Sequence, residues 1–317
     1  MSLHKIHEYK GVILPFRLVR FMEMRKWGYL ASAFIIAACF FFMFTKGFNW
    51  GLDFTGGVVV ETHFSQPADL TQVRATLKGN GIEGATVQTT GSTSDVMIRL
   101  PASMSNAEIG NQLKSMMSQI DNNLQIRSVE FVGPNVGEEL TQGAIYATLA
   151  TLIMLLIYVG MRFEWRLGTG GILALAHDVI VTLGAFSYLQ IEIDLTFVAA
   201  ILTVVGYSLN DSIVVFDRVR ENFRKIRRID SGEVIDISLT QTLARTIMTS
   251  LTTLFVVFAL LFFGGPTIYS FSLALLIGIG FGTYSSIFVA IAIAYDLGLK
   301  REHMLVKVVD KGEFEEG

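Results

Sequence analysis

Three ionisable side chains lie well inside the apolar segments of this chain: His177, Asp178 and Asp211. A charge at the centre of a membrane-spanning helix costs roughly 2.5–3.5 kcal/mol on insertion scales, so such residues usually face the bundle interior and mark ion or proton paths. A buried aspartate beside an arginine can load and release a proton, because burial raises its pKa and the arginine lowers it. These residue types therefore predict proton transfer within a membrane.

A polar stripe surrounds Asp211 on its predicted helix. The stripe consists of Tyr207, Ser208, Asp211 and Ser212, which share one face by the spacing of three and four residues. The next apolar segment begins with a second set of similar spacing, formed by Arg245, Thr249, Thr252 and Thr253. Hydropathy places Asp211 and Arg245 within about one or two helix turns of the same depth, so the two can pair.

Each of these residues also has a purely structural interpretation. Arg245 is a suitable anchor at the membrane surface, since basic residues concentrate at the cytoplasmic ends of spans. Asp178 and its neighbour His177 can form a satisfied polar contact between helices. The structural interpretation is weakest for Asp211, because a neutral asparagine would serve packing equally well.

The composition places all of these residues in a membrane protein. The chain has 317 residues, of which 51% are hydrophobic and 17% charged, too apolar for a soluble protein of this size. A net charge of -3 with short clusters of cations argues against binding to nucleic acid. The single Cys39 excludes an internal disulfide and a cysteine-based metal cluster, and no further ligands accompany His177 and Asp178. We expect neither a metal nor an organic cofactor.

Six segments are long enough to cross a membrane, which takes about 20 apolar residues. They are Tyr29–Phe44, Gln142–Met161, Gly170–Leu189, Leu195–Phe216, Thr246–Phe263 and Phe271–Leu297. Lysines and arginines concentrate in the segments at one end of these spans, whereas the short loops 190–194 and 264–270 contain none. By the positive-inside rule, both termini are cytoplasmic and the insert after the first span is external.

The domain boundaries follow from these spans. We expect a cytoplasmic segment at 1–28, the first span at 29–47, an external domain at 48–135, five further spans within 136–299 with a basic cytoplasmic loop at about 217–245, and a tail at 300–317. The N-terminal segment is compatible with an interfacial helix that carries Phe16, Val19 and Met22. Glu233 and Asp236 follow the basic cluster and are predicted to lie on a solvated face.

The external insert has the pattern of a small α+β domain. Its predicted strands are Val58–Phe64, Ala85–Thr89, Asp95–Leu100 and Leu124–Val132, and its predicted helices are Asp69–Lys78 and Ser105–Asp121, the second with Ser105 and Glu108 as a capping box. The order β-α-β-β-α-β is that of a ferredoxin-like unit. Because the insert has no cluster of catalytic or metal-binding residues, we expect a binding or lever domain and no enzyme.

Glycines in the last apolar segment predict helix packing. Gly278, Gly280 and Gly282 have the spacing of a dinucleotide-binding loop, but no strand precedes them. Gly278, Gly282 and Ser286 are therefore predicted to form a small-residue packing face within the membrane.

Three motifs in order resemble a known family. GLDFTGG at 51–57, LALAHDV at 173–179 and VGYSLNDSIVVFDRVREN at 205–222 are similar to the SecF family of bacterial protein-export membrane subunits, and the resemblance covers essentially the whole chain. The third motif also resembles that of the proton-driven resistance-nodulation-division exporters, the superfamily to which SecF belongs, in which two aspartates are adjacent. Asn210 replaces the first of them here, so only Asp211 can titrate.

The resemblance implies a function and roles for individual residues. A SecF protein would act in the bacterial cytoplasmic membrane with SecD and the SecYEG translocon, and would use the proton-motive force to draw unfolded preproteins outward late in translocation. Asp211 would carry the proton with Arg245 as its basic partner, and Asn210 would hold neighbouring helices by hydrogen bonds. Asp53 would couple the external domain to the membrane, while Gly51, Gly56 and Gly57 allow a tight backbone turn.

Three alternatives remain at this point. A small-molecule or ion exporter of the same superfamily would need a larger external region to enclose its substrate. A non-conducting scaffold that holds SecD and the translocon together fits the same sequence. An intramembrane aspartyl protease would use Asp178 and Asp211, but the two residues lie at different predicted depths.

Overall fold

The computed structural model describes residues 7–15, 17–90, 92–101 and 109–304. Within them, six helices are long and apolar enough to cross a membrane, which confirms the six-span prediction. The elements in chain order are β1 (His7–Tyr9), β2 (Val12–Leu14), α1 (Phe21–Lys46), β3 (Asn49–Trp50), α2 (Leu52–Thr55), β4 (Gly57–His63), α3 (Leu70–Gly79), β5 (Thr86–Thr90), β6 (Ser92–Leu100), α4 (Ile109–Met117), β7 (Gln125–Val132), α5 (Pro134–Arg162), α6 (Trp165–Leu189), β8 (Glu192–Ile193), α7 (Leu195–Lys225), α8 (Ser231–Phe263), α9 (Tyr269–Ser285) and α10 (Ile291–Asp296).

The chain divides into two compact units. Residues 49–149 and 192–195 form one, here called the sheet unit, and the remaining residues form the helical unit. The sheet unit contains a four-stranded antiparallel sheet in the order β5-β6-β4-β7. Together with α3 and α4, this gives the β-α-β-β-α-β arrangement predicted for a ferredoxin-like domain.

The core of the sheet unit follows from the pattern of its apolar residues. Strand β4 contributes the fully buried Val58 and Val60, which are two residues apart and face the helices. Asp69 begins α3 by accepting a hydrogen bond from the backbone N–H of Thr71 at 2.8 Å. The buried faces of the two helices are then formed by residues four apart, Val73 and Leu77 in α3 and Ile109, Leu113 and Met117 in α4. Ser105 and Glu108, the predicted capping box, lie outside the described residues.

The helical unit has α6, α7 and the last span at its centre. In these helices about half of the most apolar stretch is buried inside the protein, whereas in α5 only 6% of that stretch is buried. The last span is interrupted between α9 and α10 by a π turn at Ser286–Ala290. Such turns leave the regular hydrogen-bond ladder and often occur near functional sites.

The predicted interfacial helix is wrong for the described N-terminal residues. A β-hairpin formed by β1 and β2 occurs there, with Lys10 and Gly11 at positive φ in its turn. Residues 17–20 have no regular structure, and Phe16 lies outside the described residues. Leu14 is buried at the end of the hairpin, so this residue packs against the protein and does not face lipid.

The predicted basic loop at 217–245 is also wrong. Helix α7 continues to Lys225 and α8 begins at Ser231, so only residues 226–230 connect them. Asp230 caps α8 by accepting a hydrogen bond from the Gly232 backbone N–H. Hydropathy missed the first turns of α8 because helical structure continues beyond the apolar segment.

Asp236 does not lie on a solvated face, contrary to the prediction. It is 5% exposed, and its Oδ1 accepts a hydrogen bond at 2.9 Å from the backbone N–H of Met22, near the start of α1. No side chain of the neighbouring segment caps α1, so a residue from α8 takes this role. Glu233 is partly exposed and forms an ion pair with Lys10.

Candidate functional site

Asp178 links three of the spans at the centre of the helical unit. Its Oδ2 accepts hydrogen bonds from Ser208 Oγ of α7 at 2.6 Å and from Ser285 Oγ of α9 at 2.8 Å. Its Oδ1 lies 2.9 Å from Nδ1 of His177, the preceding residue of α6. Asp178 is 1% exposed, so all of these bonds form away from solvent. The arrangement is that of a satisfied polar contact between helices.

His177 is less completely satisfied. The residue is buried, and its Nε2 has no hydrogen-bond partner among the described residues. The rings of Phe281 and Tyr284 lie beside it, with centroids 6.5 and 6.1 Å away. His177 therefore orients Asp178 through one ring nitrogen and leaves the other free.

Asp211 lies one helix turn beyond Ser208 and faces α8. It is 3% exposed, and the groups that act on its carboxylate are Ser250 and Arg245. Its Oδ2 has no hydrogen-bond partner among the described residues, while Ser250 shares a hydrogen bond of 2.7 Å with Thr283. An unpaired buried carboxylate oxygen is costly, and such groups call for a functional explanation.

The two aspartates therefore differ in their state. Asp178 is held by three side chains, whereas Asp211 keeps one carboxylate oxygen without a hydrogen-bond partner among the described residues. No hydrogen bond joins the two carboxyl groups within the described part of the chain, so they do not form the paired dyad that an aspartyl protease needs.

The predicted stripe on α7 is present, but the stripe on α8 is rotated. Ser208, Asp211 and Ser212 are buried, and the half-buried Tyr207 shares a hydrogen bond of 3.3 Å with Thr253. In contrast, Arg245, Thr249 and Thr252 are exposed. The buried polar face of α8 is formed instead by Thr242, Thr246 and Ser250. These residues are four apart, which is a signal that the sequence also contained.

Asn210 does not hold neighbouring helices in this chain. Its side chain is exposed, and no hydrogen bond joins it to another of the residues that the structure describes. The expected hydrogen bonds are therefore not met, because Asn210 points away from the face shared by Ser208 and Asp211.

The GLDFTGG motif lies within the sheet unit. Asp53 Oδ2 accepts a hydrogen bond at 2.9 Å from the backbone N–H of Leu195, the first residue of α7. Gly51 donates its N–H to the Ile193 carbonyl at 2.7 Å, and a Cβ at this glycine would lie 2.7 Å from the same oxygen. Gly56 and Gly57 have φ values of 63° and 119°, which side chains disfavour. The motif thus brings its backbone against the segment that precedes α7.

Small residues of α9 contact α6 and α7 as the packing face predicts. A Cβ at Gly278 would collide with the side chain of Val204, and one at Gly282 would lie 3.3 Å from Ser208 Cβ. Ser286 is buried in the π turn. Among the described residues, no group of three or more His, Cys, Asp or Glu side chains could hold a metal ion.

Six apolar helices among the described residues, a buried carboxylate between two of them and one small α+β domain after the first span define a multi-pass membrane protein. Residues 112–300 match the family model of the protein export membrane protein SecD/SecF, C-terminal, and residues 41–68 match that of the SecD/SecF GG motif. The chain belongs to the SecF family of protein translocase subunits.

Individual relatives agree with this family over nearly the full length. The protein translocase subunit SecF of Haemophilus influenzae is 71% identical, with 97% of this chain and 95% of the relative covered. The Vibrio alginolyticus subunit is 52% identical over 95% of this chain and 97% of the relative.

A solved structure shows the same fold. The crystal structure of SecDF from Thermus thermophilus, described as a translocon-associated membrane protein, is 37% identical over 89% of this chain, with a TM-score of 0.81. The present chain spans 39% of the length of that larger chain.

Proposed function

We propose that this chain works with SecD and the SecYEG translocon and uses the proton-motive force to help draw unfolded preproteins across the membrane late in export. SecD is proposed as the partner because the similar solved chain is named SecDF and is more than twice as long. In this proposal both termini are cytoplasmic, which the charge asymmetry of the loops supports. The mechanism involves no enzymatic reaction and no cofactor, and protons are the coupling ion.

The observation that carries the proposal is the state of Asp211. Its carboxylate is buried, one oxygen is unpaired, and an arginine of the next span acts on it. In the ionised form the carboxylate attracts Arg245. In the protonated form that attraction disappears and the unpaired oxygen is no longer a buried charge. Proton binding therefore changes the energy of the contact between α7 and α8.

The available energy is sufficient for such a switch. One elementary charge moved across 100 mV corresponds to about 2.3 kcal/mol, which shifts a two-state equilibrium by more than tenfold. Because α7 is one continuous helix from Leu195 to Lys225, the residue capped by Asp53 and the proton-binding residue belong to the same element. Movement of α7 would thus connect the proton site with the GLDFTGG motif.

The test is Asp211→Asn in the complex with SecD, with Asp217→Asn as a matched control. Asp217 lies on the same helix, is 43% exposed in its side chain and pairs with Arg162, so its neutralisation removes a charge away from the buried site. Release of a preprotein from right-side-out membranes is followed with and without an uncoupler. We expect Asp211→Asn to match the uncoupled wild type and Asp217→Asn to match the untreated wild type.

Immunoblotting and co-purification with SecD establish that both variants insert and assemble. If Asp211→Asn assembles, releases preprotein normally and still responds to the uncoupler, the proton path lies elsewhere and the chain serves as a scaffold.

A further inference from the structure

The segment that precedes α7 pairs with β3, the first strand of the sheet unit. Asn49 pairs with Glu192 and Trp50 pairs with Ile193 in a short parallel bridge formed by β3 and β8. The hydrogen bond from the Gly51 N–H to the Ile193 carbonyl extends this bridge by one residue. Residues 192–195, here called the joint segment, are therefore a built part of the sheet unit.

Glu192 adds a side-chain attachment. Its Oε1 accepts a hydrogen bond at 3.1 Å from the backbone N–H of Leu52 and lies 2.6 Å from Nη2 of Arg99. The two side chains are only 22% and 15% exposed, so solvent screens the ion pair weakly. Burial raises the pKa of Glu192, with Asp194 and Asp53 acting in the same direction and Arg99 opposing them.

Arg99 belongs to the centre of the sheet. It lies on β6, where its neighbours are Val59 of β4 and Thr86 of β5. Its Nη1 donates a hydrogen bond to the Trp50 carbonyl. One guanidinium group thus contacts both partners of the short bridge: the backbone of β3 and the side chain of β8.

The hydrogen bonding of this guanidinium is incomplete. Nε and Nη2 are buried and form no aligned hydrogen bond with the described residues, so the short Nη2–Glu192 contact is an ion pair without hydrogen-bond geometry. A rigid structural arginine usually forms a bidentate pair with its carboxylate. Charge attraction to Glu192 and the Nη1 bond to the Trp50 carbonyl are therefore what hold the guanidinium at the short bridge.

We propose that Arg99 and Glu192 are a positioning pair that makes the joint segment, and hence the first residue of α7, follow the sheet. Arg99 sets the position of Glu192, while Asp53 caps the next helix from the same unit. The inference rests on the proposed function, because it assigns the route by which the sheet unit responds to the proton site on α7. Neither residue contacts the proton site, and both act through the joint segment.

Charge reversal and its rescue test this pair in the full chain with SecD. The variants are Arg99→Glu, Glu192→Arg and the double variant Arg99→Glu/Glu192→Arg. A matched control reverses Arg127 and Asp95, an ion pair of 3.0 Å elsewhere in the sheet unit, whose arginine is 53% exposed. Two quantities are measured: proton-gradient-dependent preprotein release, and amide hydrogen exchange of residues 192–195.

Each single reversal of Arg99 or Glu192 is expected to speed amide exchange in the joint segment by roughly tenfold or more, since one partner of a largely buried pair is left alone. Gradient-dependent release should fall in parallel, while release that persists with an uncoupler stays unchanged. The double variant should recover most of both losses, and reversal of the control pair should affect neither. A merely structural pair would not separate gradient-dependent release from uncoupled release.

Several results would overturn the proposal. The proposal is excluded if the single reversals match the wild type in amide exchange and in preprotein release. It is also excluded if the double variant recovers neither quantity relative to the single reversals. If the single reversals do not assemble with SecD, the smaller changes Glu192→Gln and Arg99→Lys are compared instead. Amide exchange like that of the wild type in both of these variants excludes the proposal. If wild-type release does not depend on the gradient, the proposed function fails, and the pair is judged by exchange and its rescue alone.

Discussion

The Asp53 carboxylate caps the first backbone N–H of α7, Leu195, although 142 residues separate the two along the chain. Helix caps usually come from the residue directly before the helix. Asp236 does the same for α1, where it accepts a hydrogen bond from Met22, 214 residues away. The first turns of two spans are thus capped by carboxylates from segments that are distant along the chain. Each cap attaches the start of its helix to another part of the fold.

Removal of the Asp53 cap should loosen the start of α7. For Asp53→Ala we expect a loss of about 1 kcal/mol of local stability, measured as faster amide exchange at Leu195, because a helix N–H loses its acceptor. Asp53→Asn retains one acceptor oxygen and should have a smaller effect. Asp69→Ala is the control, since Asp69 caps α3 within the same unit. Unchanged exchange at Leu195 in Asp53→Ala would show that this cap contributes nothing.

The sequence could predict the spans and the small domain, but not these distant caps. Hydropathy located six apolar segments because membrane burial requires about 20 apolar residues wherever a helix crosses. The Asp53–Leu195 and Asp236–Met22 contacts depend on tertiary arrangement, and no local spacing encodes them. The apolar segment of α8 begins only after its charged residues. Hydropathy therefore did not predict the first turns of this helix.

The sequence predicted the candidate site only in part, because the rest of the site also depends on tertiary arrangement. Asp178 and Asp211 were found because ionisable residues are rare within spans. Their different states could not be predicted, since Ser208 and Ser285 reach Asp178 from two other helices. The polar face predicted for α8 is the exposed one. Threonines and serines occur on more than one side of this helix, so spacing alone could not select the buried face.

Neutralisation should affect the two buried aspartates differently. In Asp178→Asn, the amide oxygen can still accept the hydroxyl bonds of Ser208 and Ser285. We therefore expect this variant to assemble with SecD and to keep most of its gradient-dependent release. Asp178→Ala leaves the buried Ser208 hydroxyl without its acceptor, at a cost of about 1–3 kcal/mol, while Ser285 keeps its bond to the Gly282 carbonyl, so this variant should assemble less well.

The measurement is the same release assay used for Asp211, with thermal unfolding in detergent as the second readout. Asp178 would prove to carry protons itself if Asp178→Asn folds normally yet releases preprotein like the uncoupled wild type.

Close packing beside the π turn should make Gly170 intolerant of a side chain. A Cβ at this position would collide with the backbone carbonyl of Ala290, which cannot move without displacing the turn. Gly170→Ala should therefore lose about 1–3 kcal/mol through overpacking, measured as a lower unfolding temperature and a lower yield of SecD complex. Gly280→Ala is the control, because nothing lies within 4 Å of its Cβ position. Equal stability of the two variants would contradict the packing at Gly170.

Acid should weaken one turn of the sheet unit over a defined range of pH. The Asp121 carboxylate accepts hydrogen bonds from the backbone N–H and hydroxyl of Ser65 at 2.6 and 2.7 Å, and from the Asn123 N–H at 2.9 Å. The backbone bond from Ser65 is the largest of the effects that lower the pKa of Asp121. A lowered carboxyl pKa means that the ionised form favours the folded turn.

This stabilisation is fully present above the unfolded pKa near 3.8 and is lost as the pH falls through the lower pKa of the folded state. Amide exchange at Ser65 and Asn123, corrected for the intrinsic effect of pH, should thus show constant protection from about pH 7 to 5 and reduced protection below the unfolded value. Asp121→Asn cannot ionise, so it should be less protected at neutral pH and should show no acid transition. A transition between pH 5 and 7, or the same acid loss in Asp121→Asn, would assign the effect to another group.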